Sequence, residues 1–363
     1  MKEPITEQIK SQRIESILLI NQNFVEITQD LERYFKLTKI KFDKFDVNNL
    51  DDTDRNNFVE SEKKDIFRKL DLYFDKIWQF VKSFNKEDYL LHQRYFQKII
   101  APLFEESSEV NKQIYRKPLG YPGDYIVMNY IYDYSGNNKY LGKLSIEKLI
   151  NNYTCNVPFA ISNIARKEFF KNKIMEVVNR GDGMKILSVG SGPARELLEL
   201  TEEGKINKEL VFTCLDLEKK ALGYAKDKFE RLENTNKALI KINYLHKNIL
   251  ELIKNNGFGD LIGKQDLVYA SGLFDYLRDR FASRLTKELF QLLNKNCSLF
   301  ICNASAEKYT HRAYYEFLGE WAMIYRTKEE LLSWTKNLID VSDVKFENQT
   351  NSINYLFLNI KKL

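Results

Sequence analysis

Residues 186–196 read ILSVGSGPARE: an apolar run from Ile186 to Val189, a turn with glycine at 190 and 192, then a helical pattern running on through Arg195 and Glu196. Strand, glycine turn and helix in that order form the first unit of a doubly wound α/β sheet. Gly190 and Gly192 let the backbone approach a ligand where a Cβ would collide, and Pro193 presets helical φ while giving up an N–H at the first turn. Arg195 stands where a dinucleotide fingerprint has a third small residue, and no phosphate loop ending in Gly-Lys-Ser/Thr is present. The turn therefore suits a ligand with adenosine but no phosphate.

Strands and helices alternate downstream of this unit. The apolar runs MKILSVG, ELVFTCLDL, ALIKINYL, QDLVYAS and CSLFICNAS are each followed by a helical or loop-like segment, the last being HRAYYEFLGEWAMIY. Such alternation implies a parallel sheet covered on both faces. The chain closes with VSDVKFENQTNSINYLFLNIKK, two strand-like segments with a polar link, so one closing strand is expected to run antiparallel. The second strand ends at Asp216, a little over twenty residues past the glycine turn, where a carboxylate can accept both hydroxyls of a ribose. Capping the next helix is the alternative role for Asp216. Asn248 opens the helix after strand three and either reaches an adenine edge or caps that helix.

The N-terminal part has a different grammar. In DIFRKLDLYFDKIWQFVKSF the residues Phe67, Leu70, Phe74, Ile77 and Val81 recur at spacings of three and four, which lines them along one helical face. The segments ITEQIKSQRIESILLINQNFVEITQDLERYF and KEDYLLHQRYFQKIIAPLFEESSEVNKQI are similarly periodic, and the polar stretch DVNNLDDTDRN separates elements. A helical bundle is expected over residues 1–112, a linker or lid over 113–156, and the α/β domain over 157–363. The bundle's aromatic side chains read as core, with a binding face as a second use.

Composition sets the outer limits. With 363 residues, 44% of them apolar, and only six prolines, the chain is long enough for two packed domains and too apolar for disorder. No apolar run reaches membrane-spanning length and the charged start MKEPITEQIKSQR is no signal peptide, so a cytoplasmic protein without stable membrane insertion is expected. Cys155, Cys214, Cys297 and Cys302 lack C-x-x-C spacing, and His92, His246 and His311 are scattered, so buried thiols and no metal site are expected. A net charge of +5 spread among many acids gives no basic stripe for nucleic acid. The oligomeric state is left open.

Taken together, these features resemble the class I S-adenosylmethionine-dependent methyltransferase fold: a Rossmann-like sheet with a closing antiparallel strand, here preceded by an all-α region. The resemblance covers residues 157–363. It extends to RKPLGYPGDYIVMNYIY (116–132), DLVYASGLFDYLRDR (266–280) and HRAYYEFLGEWAMIYR (311–326), which are similar to the bacterial family that makes 3-hydroxy fatty acid methyl esters as quorum signals. Pro122 departs from that pattern, in which a small residue such as Ala is expected. The resemblance implies S-adenosylmethionine as cofactor, with the glycine turn beneath its amino-acid part and Asp216 on its ribose. The cofactor site is expected to involve Gly190, Ser191, Gly192, Arg195, Asp216, Leu217, Asn248, Ser271, Gly272, Tyr121 and Asp124.

Methyl transfer from a sulfonium is an in-line displacement in a dry pocket, and it needs an acid-base residue only if the acceptor carries a proton. A fatty carboxylate carries none, so an arginine or tyrosine that fixes it is enough. Arg312 is the candidate for that role, with Tyr121 in a lid formed by KPLGYPGDY, where Asp124 points inward or else only bonds local backbone. The small-molecule acceptor is expected against Phe274, Tyr276, Tyr315, Trp321 and Tyr325. His311 or Asp275 would serve as base if the acceptor were a hydroxyl or amine, although His311 also reads as structural and Asp275 as a helix cap. The loop SGLFDYL replaces the N-P-P-Y-like loop expected for base methylation. A non-catalytic, cofactor-binding interaction protein is the reading from outside enzymology.

Overall fold

The structure is a computed structural model that describes residues 20–48, 51–134, 140–233, 235–254, 258–307, 311–351 and 354–363. The part before residue 20 of the periodic segment ITEQIKSQRIESILLINQNFVEITQDLERYF, Asn49 and Leu50 of the polar stretch, and residues 308–310 lie outside the described residues. The chain divides into two compact units. The helical one takes the chain through Gly123, then Asp133–Val157 and His311–Ala322; the sheet unit takes Asp124–Tyr132, Pro158–Thr310 and Met323–Leu363.

In the helical unit, α1 (Gln22–Asn48), α2 (Asp52–Val81), α3 (Lys86–Glu106) and α4 (Glu109–Arg116) follow one another. Short polar side chains start three of them: Asp51 accepts from Thr53 N, Asn85 from Glu87 N and Asp88 N, and Ser108 from Asn111 N. Replacing Asn85 with alanine strands two backbone donors and is expected to cost about 1 kcal/mol, read as a lower denaturation midpoint; an unchanged midpoint would remove the cap from the account. Leu70, Phe74, Ile77 and Val81 are buried along α2 as their spacing requires, while Phe67 is half-buried against Tyr153. Phe74 meets the rings of Phe96, Phe104, Tyr153 and Tyr314, so the aromatic side chains do form a core.

Two segments complete this unit. The first follows α5 (Tyr125–Asp133) and is α6 (Ser145–Asn156), buried at nearly every position. The second is a single π-helical turn, Ala313–Leu318, from the stretch after strand five. Its outward carbonyls need donors: Gln93 Nε2 reaches Glu316 O at 2.8 Å, and Gln97 Nε2 reaches Phe317 O and Leu318 O, both at 3.1 Å.

The sheet unit opens with α7 (Pro158–Val178), followed by β1 (Met184–Val189), α8 (Arg195–Glu202), β2 (Leu210–Asp216), α9 (Lys219–Glu230), β3 (Ile240–His246), α10 (Ile249–Ile253) and α11 (Phe258–Ile262). β4 (Gln265–Ser271), α12 (Asp279–Gln291), β5 (Leu293–Ala304), α13 (Lys328–Ser333), β6 (Val341–Glu347) and β7 (Tyr355–Lys362) close it. The strand order is β3-β2-β1-β4-β5-β7-β6, with β7 antiparallel to both neighbours. This is the Rossmann-like sheet with a closing antiparallel strand, preceded by an all-α region, that is expected from the sequence. The last strand of the chain lies inside the sheet, because Tyr355–Ile360 are buried throughout and need a partner on each side, whereas the half-exposed β6 can stand at the edge.

Alternate strand residues face opposite layers. Leu187, Val189, Val268, Ala270, Leu299 and Ile301 join Leu285 and Leu289 of α12 in one core. On the other face Phe170 of α7 stacks on Tyr269 at 4.5 Å, and Phe169 packs on Phe300 and Phe357. Because strand order reverses between β1 and β4, a crevice is expected outside their carboxyl ends.

Candidate active site at the carboxyl ends of the strands

β1 runs into the glycine turn, and hydrogen bonding fixes its path. Gly190 N and Ser191 N both donate to Leu215 O, at 2.8 and 3.2 Å, which ties the turn to the end of β2. Gly190 and Gly192 take φ of +66° and +53°. A Cβ on Gly190 would come 3.3 Å from Leu273 Cβ, but one on Gly192 would meet nothing within 4 Å. The turn is thus packed on one side and open on the other.

Asp216 stands opposite. Its Oδ2 accepts from Gly192 N at 2.8 Å and its Oδ1 from Glu218 N at 2.8 Å, so the carboxylate faces the glycine turn and also orders the start of the next helix. Burial lifts its carboxyl above the ordinary range, against the pull of the Glu218 and Gly192 amides. Leu217 is exposed beside it. Asn248 caps α10 by accepting from Leu250 N at 2.9 Å.

Only the last two residues of the KPLGYPGDY segment, Asp124 and Tyr125, belong to this unit. Asp124 is fully buried, and its Oδ1 accepts from Ile126 N and Val127 N at 2.9 and 3.0 Å, starting α5. Asn129 of α5 accepts from Arg195 Nη1 at 3.3 Å, and Tyr125 meets the Tyr224 ring at 5.4 Å, so α5 lies beside the start of α8 and the middle of α9. Arg195 also reaches Glu199.

After β4, Ser271 and Gly272 lead into a 3₁₀ turn over Phe274–Tyr276. Phe274 is buried against Trp334, and Tyr276 is exposed. Asp275 is buried, with Oδ1 accepting from Ala304 N at 2.6 Å and its carbonyl accepting from Ile324 N at 2.7 Å. Burial lifts its carboxyl to about 6, although the Ala304 amide, Arg166 and Arg326 pull the other way. From its ordinary 3.8 up to about 6, folded protein keeps a proton that unfolded protein has released, so stability present in acid is lost as pH rises through 6. Asp275→Asn is expected to remove a slope approaching about 1.4 kcal/mol per pH unit from this window. Denaturation midpoints for both proteins at several pH values test this, and parallel profiles would refute it.

Other candidate residues lie in the helical unit. Arg312 pairs with Glu316, Nη2 to Oε2 at 3.0 Å, and stacks over the Trp78 ring at 4.4 Å. His311 Nε2 is 3.3 Å from Asp71 Oδ1, without hydrogen-bonding geometry. Tyr315 donates to Thr154 O at 3.1 Å and contacts Trp321, whose indole lies against Gly123; Tyr121 is exposed. Tyr325 is half-buried in the sheet unit. The sheet unit thus holds Gly190, Ser191, Gly192, Arg195, Asp216, Leu217, Asn248, Asp124 and the Ser271–Tyr276 loop, while Arg312, His311, Tyr121, Tyr315 and Trp321 belong to the other unit.

Two buried side chains here were not singled out from the sequence. Glu196, one residue past Arg195, accepts from the Tyr269 hydroxyl, and burial lifts its carboxyl. Arg166 of α7 lies at Gly272. The available signal was the composition of α7, a helix buried nearly all round that nevertheless carries Arg166, Lys167 and Lys171; buried charges need partners.

No protein-family model matches the chain, and no curated protein matches it. Among solved structures it is similar to a possible exported protein from Bordetella parapertussis, at 15% identity, with 84% of this chain and 96% of that one covered and a TM-score of 0.56. It is also similar to an O-methyltransferase family protein from Burkholderia thailandensis, at 11% identity, with 76% of this chain and 71% of that one covered and a TM-score of 0.42. Magnesium protoporphyrin IX methyltransferase from Synechocystis PCC 6803, crystallised with bound SAM, gives 12% identity, 57% and 85% coverage and a TM-score of 0.38. At these identities the first is a likeness of fold, and the other two carry no further weight. Among the described residues, no helix is long and apolar enough to cross a membrane.

Proposed function

We propose that the chain is an S-adenosylmethionine-dependent methyltransferase of a small molecule, and that its acceptor is the carboxylate of a hydroxylated fatty acid. The observation that carries the first part is the meeting of Asp216 with the open side of the glycine turn at the point where strand order reverses. A carboxylate there can take two ribose hydroxyls, and open space over Gly192 accepts a ligand without a phosphate-binding lysine or a third glycine.

The bound cofactor supplies an electrophilic methyl group. Gly190, Ser191 and Gly192 bring backbone close to it, Asp216 holds ribose, and Leu217, Asn248, Ser271, Gly272, Arg195 and Asp124 border it. The acceptor reading is supported by the resemblance of the three segments to fatty acid methyl ester synthases. It is also supported by chemistry: a carboxylate needs no base, and Asp275 is already held by the Ala304 amide.

Calorimetry with S-adenosylmethionine and S-adenosylhomocysteine tests the cofactor. Mass spectrometry of lipid extracts from cells making the protein or its Gly190→Arg variant tests the acceptor. Expected are saturable binding of both nucleosides and, with the wild-type chain alone, a fatty acid product heavier by one methylene. Absence of binding would overturn the whole reading; binding with no such product would overturn the fatty carboxylate.

A further inference from the structure

Three cations of α7 are buried: Arg166, Lys167 and Lys171. Two have acids in direct contact. Lys167 Nζ lies 2.6 and 2.7 Å from the Glu199 oxygens, and Lys171 Nζ lies 3.1 Å from Glu199 Oε2 and 2.7 Å from Glu203 Oε1. Arg166 has none: among the described residues no carboxylate lies within ion-pair distance of its guanidinium, and its buried Nε–H has no acceptor. The group stacks on the Tyr355 ring at 4.6 Å and hydrogen-bonds the side chains of Tyr132 and Cys302, neither of them an ionised partner, with Asp275 a more distant electrostatic neighbour.

Arg326, the other buried arginine nearby, shows what a structural role looks like in this unit. Its Nε meets Asp279 Oδ1 at 2.9 Å, and its Nη1 donates to Phe274 O at 2.9 Å and Asn303 Oδ1 at 2.8 Å. Its Nη2 donates to Leu277 O. An arginine is always charged, and burying that charge with only neutral hydrogen-bond partners is costly, so Arg166, which lacks the carboxylate that each other buried cation of α7 and Arg326 has, differs from them.

Its position says what it faces. A Cβ on Gly272 would lie 2.9 Å from Arg166 Nη1 and 3.1 Å from Nη2, so the fork abuts the first residue after β4. Cys302 is near the end of β5, and Tyr355 pairs in register with Ala304 at that end. The cation therefore sits at the carboxyl edge of β4 and β5, beside the switch between β1 and β4.

We infer that Arg166 is a carboxylate-binding residue of the active site, receiving the carboxylate either of the cofactor's amino-acid part or of the acceptor. This rests on the methyltransferase reading above. A planar fork matches a carboxylate in two parallel hydrogen bonds, and a monoanion balances one guanidinium.

The test is Arg166→Gln, with Arg166→Lys as the milder variant should the first fail to fold, judged by melting curves. S-adenosylhomocysteine carries the amino-acid carboxylate; 5′-methylthioadenosine lacks it. A loss of about tenfold or more for the first with no change for the second supports the inference and assigns the carboxylate to the cofactor. Unchanged affinity for both, with a raised KM and little change in kcat on 3-hydroxy fatty acids, supports it and assigns the carboxylate to the acceptor. A folded variant that matches wild type in both affinities, and in KM where the acids are turned over, overturns it. Wild-type protein that binds neither nucleoside instead overturns the methyltransferase reading itself.

Discussion

Asp216→Ala is expected to weaken S-adenosylhomocysteine binding by about 3 kcal/mol, or about 100-fold, because it removes an ionised acceptor for two hydroxyl donors. The variant also strands Gly192 N–H and Glu218 N–H, which Asp216 satisfies at 2.8 Å each. Asp216→Asn is intermediate in both effects. It keeps one oxygen acceptor for one of the two backbone amides and loses the charge, so both its affinity and its stability should fall between those of wild type and the alanine variant. There is also a pH signature. Burial raises the Asp216 carboxyl, so in wild type affinity should decline as pH falls through that raised value and the accepting anion is lost. The alanine variant should lack this decline. Calorimetry across pH on all three proteins measures both effects; equal affinities in folded proteins would place the nucleoside elsewhere.

The placement of these residues could be read from the chain because each signal is local. A strand followed by two glycines at positive φ, and an acid closing the next strand, need no tertiary information. The closing hairpin was legible for the same reason, yet its insertion was not: the burial of β7 on both faces follows from pairing with β5, which lies fifty residues earlier. α6 escaped because nearly every position is buried, which erases the helical period that revealed α2. The stretch after β5 shows the same limit. Its aromatic residues read equally well as acceptor contacts and as core, and Tyr314, Tyr315 and Phe317 are buried in the helical unit. Arg166 was hidden by distance: it precedes β1 by some twenty residues and reaches Gly272 only through the fold.

Gly192→Val separates backbone strain from ligand exclusion, and Gly183 provides the control. Both glycines have positive φ, +53° and +69°, and neither would have a neighbour within 4 Å of an added Cβ. A β-branched side chain in that conformation costs roughly 1–3 kcal/mol of stability at either position. The difference lies in where the open space is. Gly183 precedes β1, at the amino end of the sheet, where its N–H donates to Glu209 O. Gly192 opens onto the carboxyl end, opposite Asp216. Gly183→Val should therefore lower the melting temperature and leave S-adenosylhomocysteine affinity intact. Gly192→Val should lower it by a similar amount and reduce affinity by about 100-fold or more, since two methyl groups would fill the space the ligand needs and wrong-shape contacts there have no packed neighbours to relax against. Equal affinities in the two variants, measured below both melting transitions, would show that the open side of the glycine turn is not where the cofactor lies.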